Sequence, residues 1–190
     1  MNNNKNIIKE QSVVGTYSTM ANAEAAVRML NKGKFPIDQI SILTTNLSDE
    51  KDVVGFVTQG DVVKEGTKEG AWFGGLFGLL MGTAFIWVPG VGPFYVAGSL
   101  AALLVSTLGG TVAGATFAGI LSGLASWGVD KKHIIKYADD LKGGKFLVIA
   151  HGTPEEVNKA HEILKNSNQE ELDIHAEEIT EKNYSQAGTL

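Results

Sequence analysis

From Gly70 to Val129 the chain runs for about sixty residues without one Asp, Glu, Lys or Arg. The whole protein is 19% charged, so its charges are confined to the flanking segments. A run that long needs cover from its own fold, from another protein surface or from lipid. Glycine recurs at every fourth position into the stretch: Gly66, Gly70, Gly74, Gly78 and Gly82. In a helix such residues lie on nearly one face, a groove without side chains where a second helix can approach closely. Each step of four overshoots the 3.6-residue turn, which favours a right-handed crossing. Each glycine costs about 1 kcal/mol against alanine in a helix interior, so packing or a membrane must compensate.

A second stripe of small residues follows: Gly98, Ala102, Ser106, Gly110, Gly114, Ala118, Ser122 and Ser126. It is the weaker signal, because more than half of the residues from Phe94 to Trp127 are small. Pro89-Gly90-Val91-Gly92-Pro93 divides the apolar run. Ala71 to Val88 would be about 27 Å long as a helix, close to a hydrocarbon core. Phe94 to Trp127 as one helix would reach about 50 Å, too long for one span, and Gly109-Gly110 is its expected break. All three tryptophans lie in this stretch. Trp72, Trp87, Tyr95 and Trp127 sit near segment ends, as membrane-interface aromatics do. The pattern predicts a helical hairpin buried in lipid or against other copies of the chain, and a single helix or two helices over 94–127.

The flanking segments alternate strand and helix signals. Val13 to Tyr17 reads as a strand, Ser18 or Thr19 as an N-cap, and Ala23, Ala26, Val27 and Leu30 as one helical face ended by Gly33. Ile40 to Thr44 is the second strand. Val53 to Val63 reads as a hairpin or connector. Asp130 to Leu141 follows as a helix whose apolar face is Ile134, Ile135, Ala138 and Leu141. Lys145 to Ala150 is an apolar strand. Thr153-Pro154-Glu155-Glu156 combines a cap, a first-turn proline and a capping-box glutamate. Val157, Ala160, Ile163 and Leu164 form that helix's buried stripe, and Leu172, Ile174 and Ala176 alternate in the last strand.

The expected fold class is α+β, a ferredoxin-like split βαβ sandwich interrupted by a long Gly/Ala-rich apolar helical hairpin. The divisions are a polar tail (1–11), a first half (12–50), a connector (51–65), the glycine-zipper insertion (66–129), a second half (130–180) and a polar tail (181–190). If the halves share one sheet, both ends of the insertion lie on one side of any membrane and the number of spans is even. Lys64 and Lys68 flank one end, and Lys131, Lys132 and Lys136 the other, which suits two cytoplasmic ends.

Val13 to Tyr17, Ala23 to Val27 and Phe35 to Leu43 together resemble the opening of the general stress protein 17M-like domain. Gly66 to Gly82, and the return through Tyr137 to His151, are similar to the bacterial low-temperature-induced proteins of that group. The resemblance covers about residues 12–180 and rests on packing motifs. It implies a stress-associated, non-enzymatic protein with a glycine-rich apolar insertion, and it carries no functional site with it.

Chemistry is sparse. Net charge is −5 and there is no cysteine. The first argues against a nucleic-acid partner; the second removes thiol chemistry and cysteine metal sites. The N-terminus lacks an apolar signal core, so a cytoplasmic body, membrane-associated through the insertion, is expected. His151, His161 and His175 have no short ligand spacing and read as surface histidines; His175, out of phase with Ile174, should face away from the core. Asp139-Asp140 and Glu177-Glu178 read as solvated pairs, the glycine pairs lack the Lys-Ser or Lys-Thr of a phosphate loop, and the serines lack a nucleophile elbow. No catalytic residue, cofactor or metal is expected in this reading; a weaker alternative is a regulatory domain that binds a small ligand or a metal on its sheet. The expected partners are other copies of the chain and lipid.

Overall fold

The computed structural model describes residues 11–45, 80, 83–88, 92–107 and 117–176. Strand β1 (Gln11–Tyr17) leads into helix α1 (Met20–Lys32), which Thr19 caps by accepting from the Asn22 N–H. Lys34 lies past the C-cap Gly33, and Pro36 then opens a 3-10 turn (Ile37–Gln39) that feeds β2 (Ile40–Thr44). After residue 80 come β3 (Thr83–Val88), β4 (Gly92–Gly98), α2 (Ser99–Thr107) and α3 (Phe117–Ser126). The chain closes with α4 (Lys131–Lys142), β5 (Phe146–Gly152), α5 (Pro154–Leu164) and β6 (Glu171–His175). The expected capping box of α5 is present: Thr153 and Glu156 satisfy each other's backbone N–H.

The fold is mixed α/β around one six-stranded sheet in the order β3-β4-β2-β5-β1-β6, with every neighbouring pair antiparallel. β5 is antiparallel to both β1 and β2, so β1 and β2 run the same way and α1 joins them. β5 and β6 are likewise joined by α5, both antiparallel to β1. All seven residues of β5 are buried. Its side chains alternate between two cores, since successive residues of a strand point to opposite faces. Phe146, Val148 and Ala150 meet α1 and α5; Leu147 and Ile149 meet α2, α3 and α4.

The insertion is where the structure corrects the sequence reading. The helix expected over Ala71 to Val88 does not extend through Thr83–Val88, which is strand, and Phe94 to Gly98 is strand rather than the start of a second helix. Over 83–98 the chain is a β-hairpin instead of a helical one: β3 and β4 pair from Thr83↔Ala97 to Val88↔Gly92, and the last two residues of the Pro-Gly breaker, Gly92 and Pro93, open β4. β-branched and aromatic residues prevail in β3 and supply Phe94, Tyr95 and Val96 at the centre of β4, and such residues pack well on a pleated surface. An uninterrupted apolar run carries no period to separate strand from helix. Further on, the described residues of 94–127 include two helices, α2 of 9 residues and α3 of 10. Among the described residues no helix is long and apolar enough to cross a membrane.

Two smaller corrections follow from the second core. Ile135 is 56% exposed, and Tyr137 takes its place on the buried face of α4. Ile174 is 39% exposed, whereas His175 is only 4% exposed. His175 does point away from the α1/α5 core, but the other face of the sheet is covered too.

Candidate functional site

Only some of the residues expected to pack helices are among the described ones. Gly66, Gly70, Gly74, Gly78, Gly82, Gly110, Gly114 and Trp72 lie outside the described residues. Ala102 and Ser122 are exposed on α2 and α3, the helices that also hold Ser106 and Ala118. Gly98 ends β4 with φ +89°, and a Cβ there would stand 2.0 Å from the Ile40 carbonyl oxygen. Its bareness serves a close backbone approach between strands, not a helix contact. A small residue that does lie between α2 and α3 is Gly123, where a Cβ would come within 2.4 Å of Leu100 Cδ1.

Of the four aromatics assigned to a membrane interface, Trp87 lies in β3 and Tyr95 is half-buried on β4. The assignment of Trp127 is corrected: it is 5% exposed and stacks on His151, with ring centroids 4.0 Å apart and planes 6° from parallel. His151 Nε2 lies 3.0 Å from Ser99 Oγ, which lies 2.8 Å from Ser41 Oγ. Ser41 Oγ also accepts the Leu100 N–H, and Ser12 Oγ donates to the Trp127 carbonyl. These polar groups bind the α2 start and the α3 end to the sheet.

A second polar group gathers where α4 begins, over the far face of β6. Asp130 caps α4, one carboxylate oxygen accepting the N–H groups of Lys132 and His133 at 2.8 and 3.0 Å. Its other oxygen lies 2.6 Å from His133 Nδ1. These bonds, the His133 backbone N–H first, hold its carboxyl below the usual range. One turn on, Tyr137 hydroxyl sits 2.7 Å from His175 Nε2 and donates to Asp173 at 3.3 Å. A phenol has one proton. Given to Asp173, it leaves the hydroxyl to accept from His175 Nε2–H, so Nδ1 is the lone-pair nitrogen of that ring. Burial above all, then the neighbouring His133, pushes the His175 imidazolium down from its usual range. Burial first and Asp173 second push the Tyr137 phenol up.

The His133 and His175 rings meet edge to face at 4.7 Å. One ligand atom from each of Asp130, His133 and His175 lies within 4.8 Å of the other two. Farther along α4 Lys136 pairs with Glu171, and at its C-terminal end Lys145 pairs with Asp140 and Glu170, the Asp140 bond contributing most to the rise in the Lys145 ammonium. The arrangement offers a carboxylate and two imidazoles, the ligand chemistry of a divalent transition metal. Of the histidines weighed together in the sequence, only His175 belongs to it; His151 faces Trp127, and His161 lies on α5, across the sheet. The signal available beforehand was Asp130-x-x-His133 at a helix start, which says nothing of His175 without the sheet.

The family model of the heat-induced stress protein YflT domain matches residues 12–85, less than half of the chain, from β1 into β3. That finding agrees with the stress-protein resemblance read from the same segment. No curated protein and no solved structure matches the chain.

Proposed function

We propose that this chain is a non-enzymatic, stress-associated protein of the cytoplasm that assembles with copies of itself through its apolar insertion. The stress association is supported by the family match over residues 12–85. In this reading the sheet is a ferredoxin-like split βαβ core, supported by the order β2-β5-β1-β6, which β4 and β3 extend at one edge. The observation that carries self-assembly is that edge. Among the described residues β3, with the sequence Thr-Ala-Phe-Ile-Trp-Val, is the outermost strand, and an apolar edge strand without a charge is a template for another strand. A second copy satisfies both the strand and the Gly66 to Gly82 stripe, and two-fold pairing of identical edges closes on itself.

Light scattering coupled to size exclusion tests the reading on the full chain. The expected result is an oligomer that Ile86→Lys and Gly74→Leu/Gly78→Leu each reduce, with far-UV circular dichroism unchanged. A monomeric parent, or an oligomer untouched by both changes, overturns it. Membrane anchoring is the second reading, favoured by the charge-free run from Gly70 to Val129. It predicts retention in the membrane pellet after an alkaline carbonate wash.

A further inference from the structure

We propose that Asp130, His133 and His175 form a binding site for one divalent first-row transition metal ion, of the Zn²⁺ class, with Tyr137 as its positioning residue. Capping explains Asp130 and its bond to His133. It does not explain why a strand residue from the far end of the chain brings a third ligating group, 4% exposed, to the same point. Metal–ligand bonds of about 2.0–2.2 Å require donor atoms roughly 3.4 Å apart in a tetrahedron. The 2.6 Å Asp130–His133 contact must open slightly, and the remaining separations, up to 4.8 Å, must close. Both are side-chain adjustments on the exposed half of the site, where the Asp130 side chain is 58% and that of His133 33% exposed.

The support is graded from inside outward. His175 is fixed by Tyr137, whose hydroxyl is in turn fixed by Asp173. A ligating imidazole characteristically donates its other N–H to such an outer partner, which sets tautomer and orientation. Asp130 and His133 stand at the solvent side, so an ion can enter and water can fill its remaining positions. Asp173 shares the β6 face with His175, opposite Val14 and Ser12, and adds negative charge beneath the site. Binding exchanges the His133–Asp130 hydrogen bond for coordination. Where His133 coordinates through Nδ1, the proton of that nitrogen passes to Nε2 or to buffer through solvent.

Titration calorimetry of the full chain with Zn²⁺ alone, in buffer free of chelators, tests this. The expected result is one ion per chain. His133→Ala should weaken binding about 100-fold, and Asp130→Asn, which keeps an N-cap residue, about 10-fold or more. Tyr137→Phe keeps all three ligands and is expected to lose about 10-fold, the outer-partner range. Nitrogen-15 spectra of the histidine rings should move for His133 and His175 and stay still for His151 and His161. Absence of saturable binding overturns the proposal, as does equal binding by His133→Ala or a ring signature centred on His161.

Discussion

The two faces of the sheet are built from different material. On one, α1 and α5 carry apolar stripes against charged outer surfaces, with caps at Thr19 and Thr153 and an Arg28–Glu24 pair on α1. On the other, α2 and α3 come from a segment with no charged residue, and only α4 has an ordinary polar side. Both cover the same strands, and both bury leucines completely, Leu30 on the first face and Leu100 and Leu124 on the second. The contrast between apolar and charged positions is therefore not what makes a face pack. It is what makes the packing readable.

The largest test of that comparison is a matched pair of truncations. Leu30→Ala and Leu124→Ala should each cost about 3 kcal/mol, the usual range for removing a buried leucine side chain. Urea unfolding followed by both far-UV circular dichroism and tryptophan fluorescence should give coincident transitions, because β5 lies in both cores. If Leu124→Ala moved only the fluorescence of the Trp127 side, the second face would be a separately melting unit.

Glycine gives the next contrast. Gly98→Ala places a Cβ against the Ile40 carbonyl at φ +89° and should cost about 2–3 kcal/mol, measured as a lowered urea midpoint. Gly123→Ala meets side-chain atoms alone, the Leu100 methyl first and Leu103 in ordinary contact, and the gain of about 1 kcal/mol in helix propensity offsets that crowding. Its midpoint should stay nearly unchanged, and an equal loss in both variants would remove the distinction drawn between backbone and side-chain contacts.

On the first face, Thr153→Ala should cost about 1 kcal/mol by removing the cap of α5. The same cap holds the Glu156 carboxyl below its usual value near 4.5, its bond from the Thr153 N–H contributing most. Its stabilisation is present above that value and is lost as pH falls through the lower folded value. That N–H remains in Thr153→Ala, so Glu156→Gln is the control: the parent should lose more stability than Glu156→Gln between pH 5 and pH 3, and parallel acid limbs would contradict the assignment. The smallest effect is expected at Ile135→Lys, within about 0.5 kcal/mol, since that side chain is exposed. A loss of several times that would restore Ile135 to the core of α4.

Legibility followed charge contrast closely. The Thr19 cap, the Pro154 start, the capping-box glutamate and the strand Ile40–Thr44 were all readable, because each has a local physical cause. The strands at 83–98 were not, since a continuous apolar run has no period and glycine spacing suggested helix. His175 could be assigned to a face but not to an environment. Its neighbours Tyr137 and His133 are 38 and 42 positions away in the chain, and only the covering of the second face by α4 joins them.

By itself the sequence determined the order of strands and helices outside the insertion, their caps, and the demand that the charge-free stretch be covered. These depend on residues within a turn or two of one another. Tertiary structure decided that part of that stretch would extend the sheet, that Trp127 would stack on His151, and that Asp130, His133 and His175 would meet. Each is a choice among partners far apart in the chain. It is settled by which arrangement buries apolar surface while pairing the backbone groups buried with it.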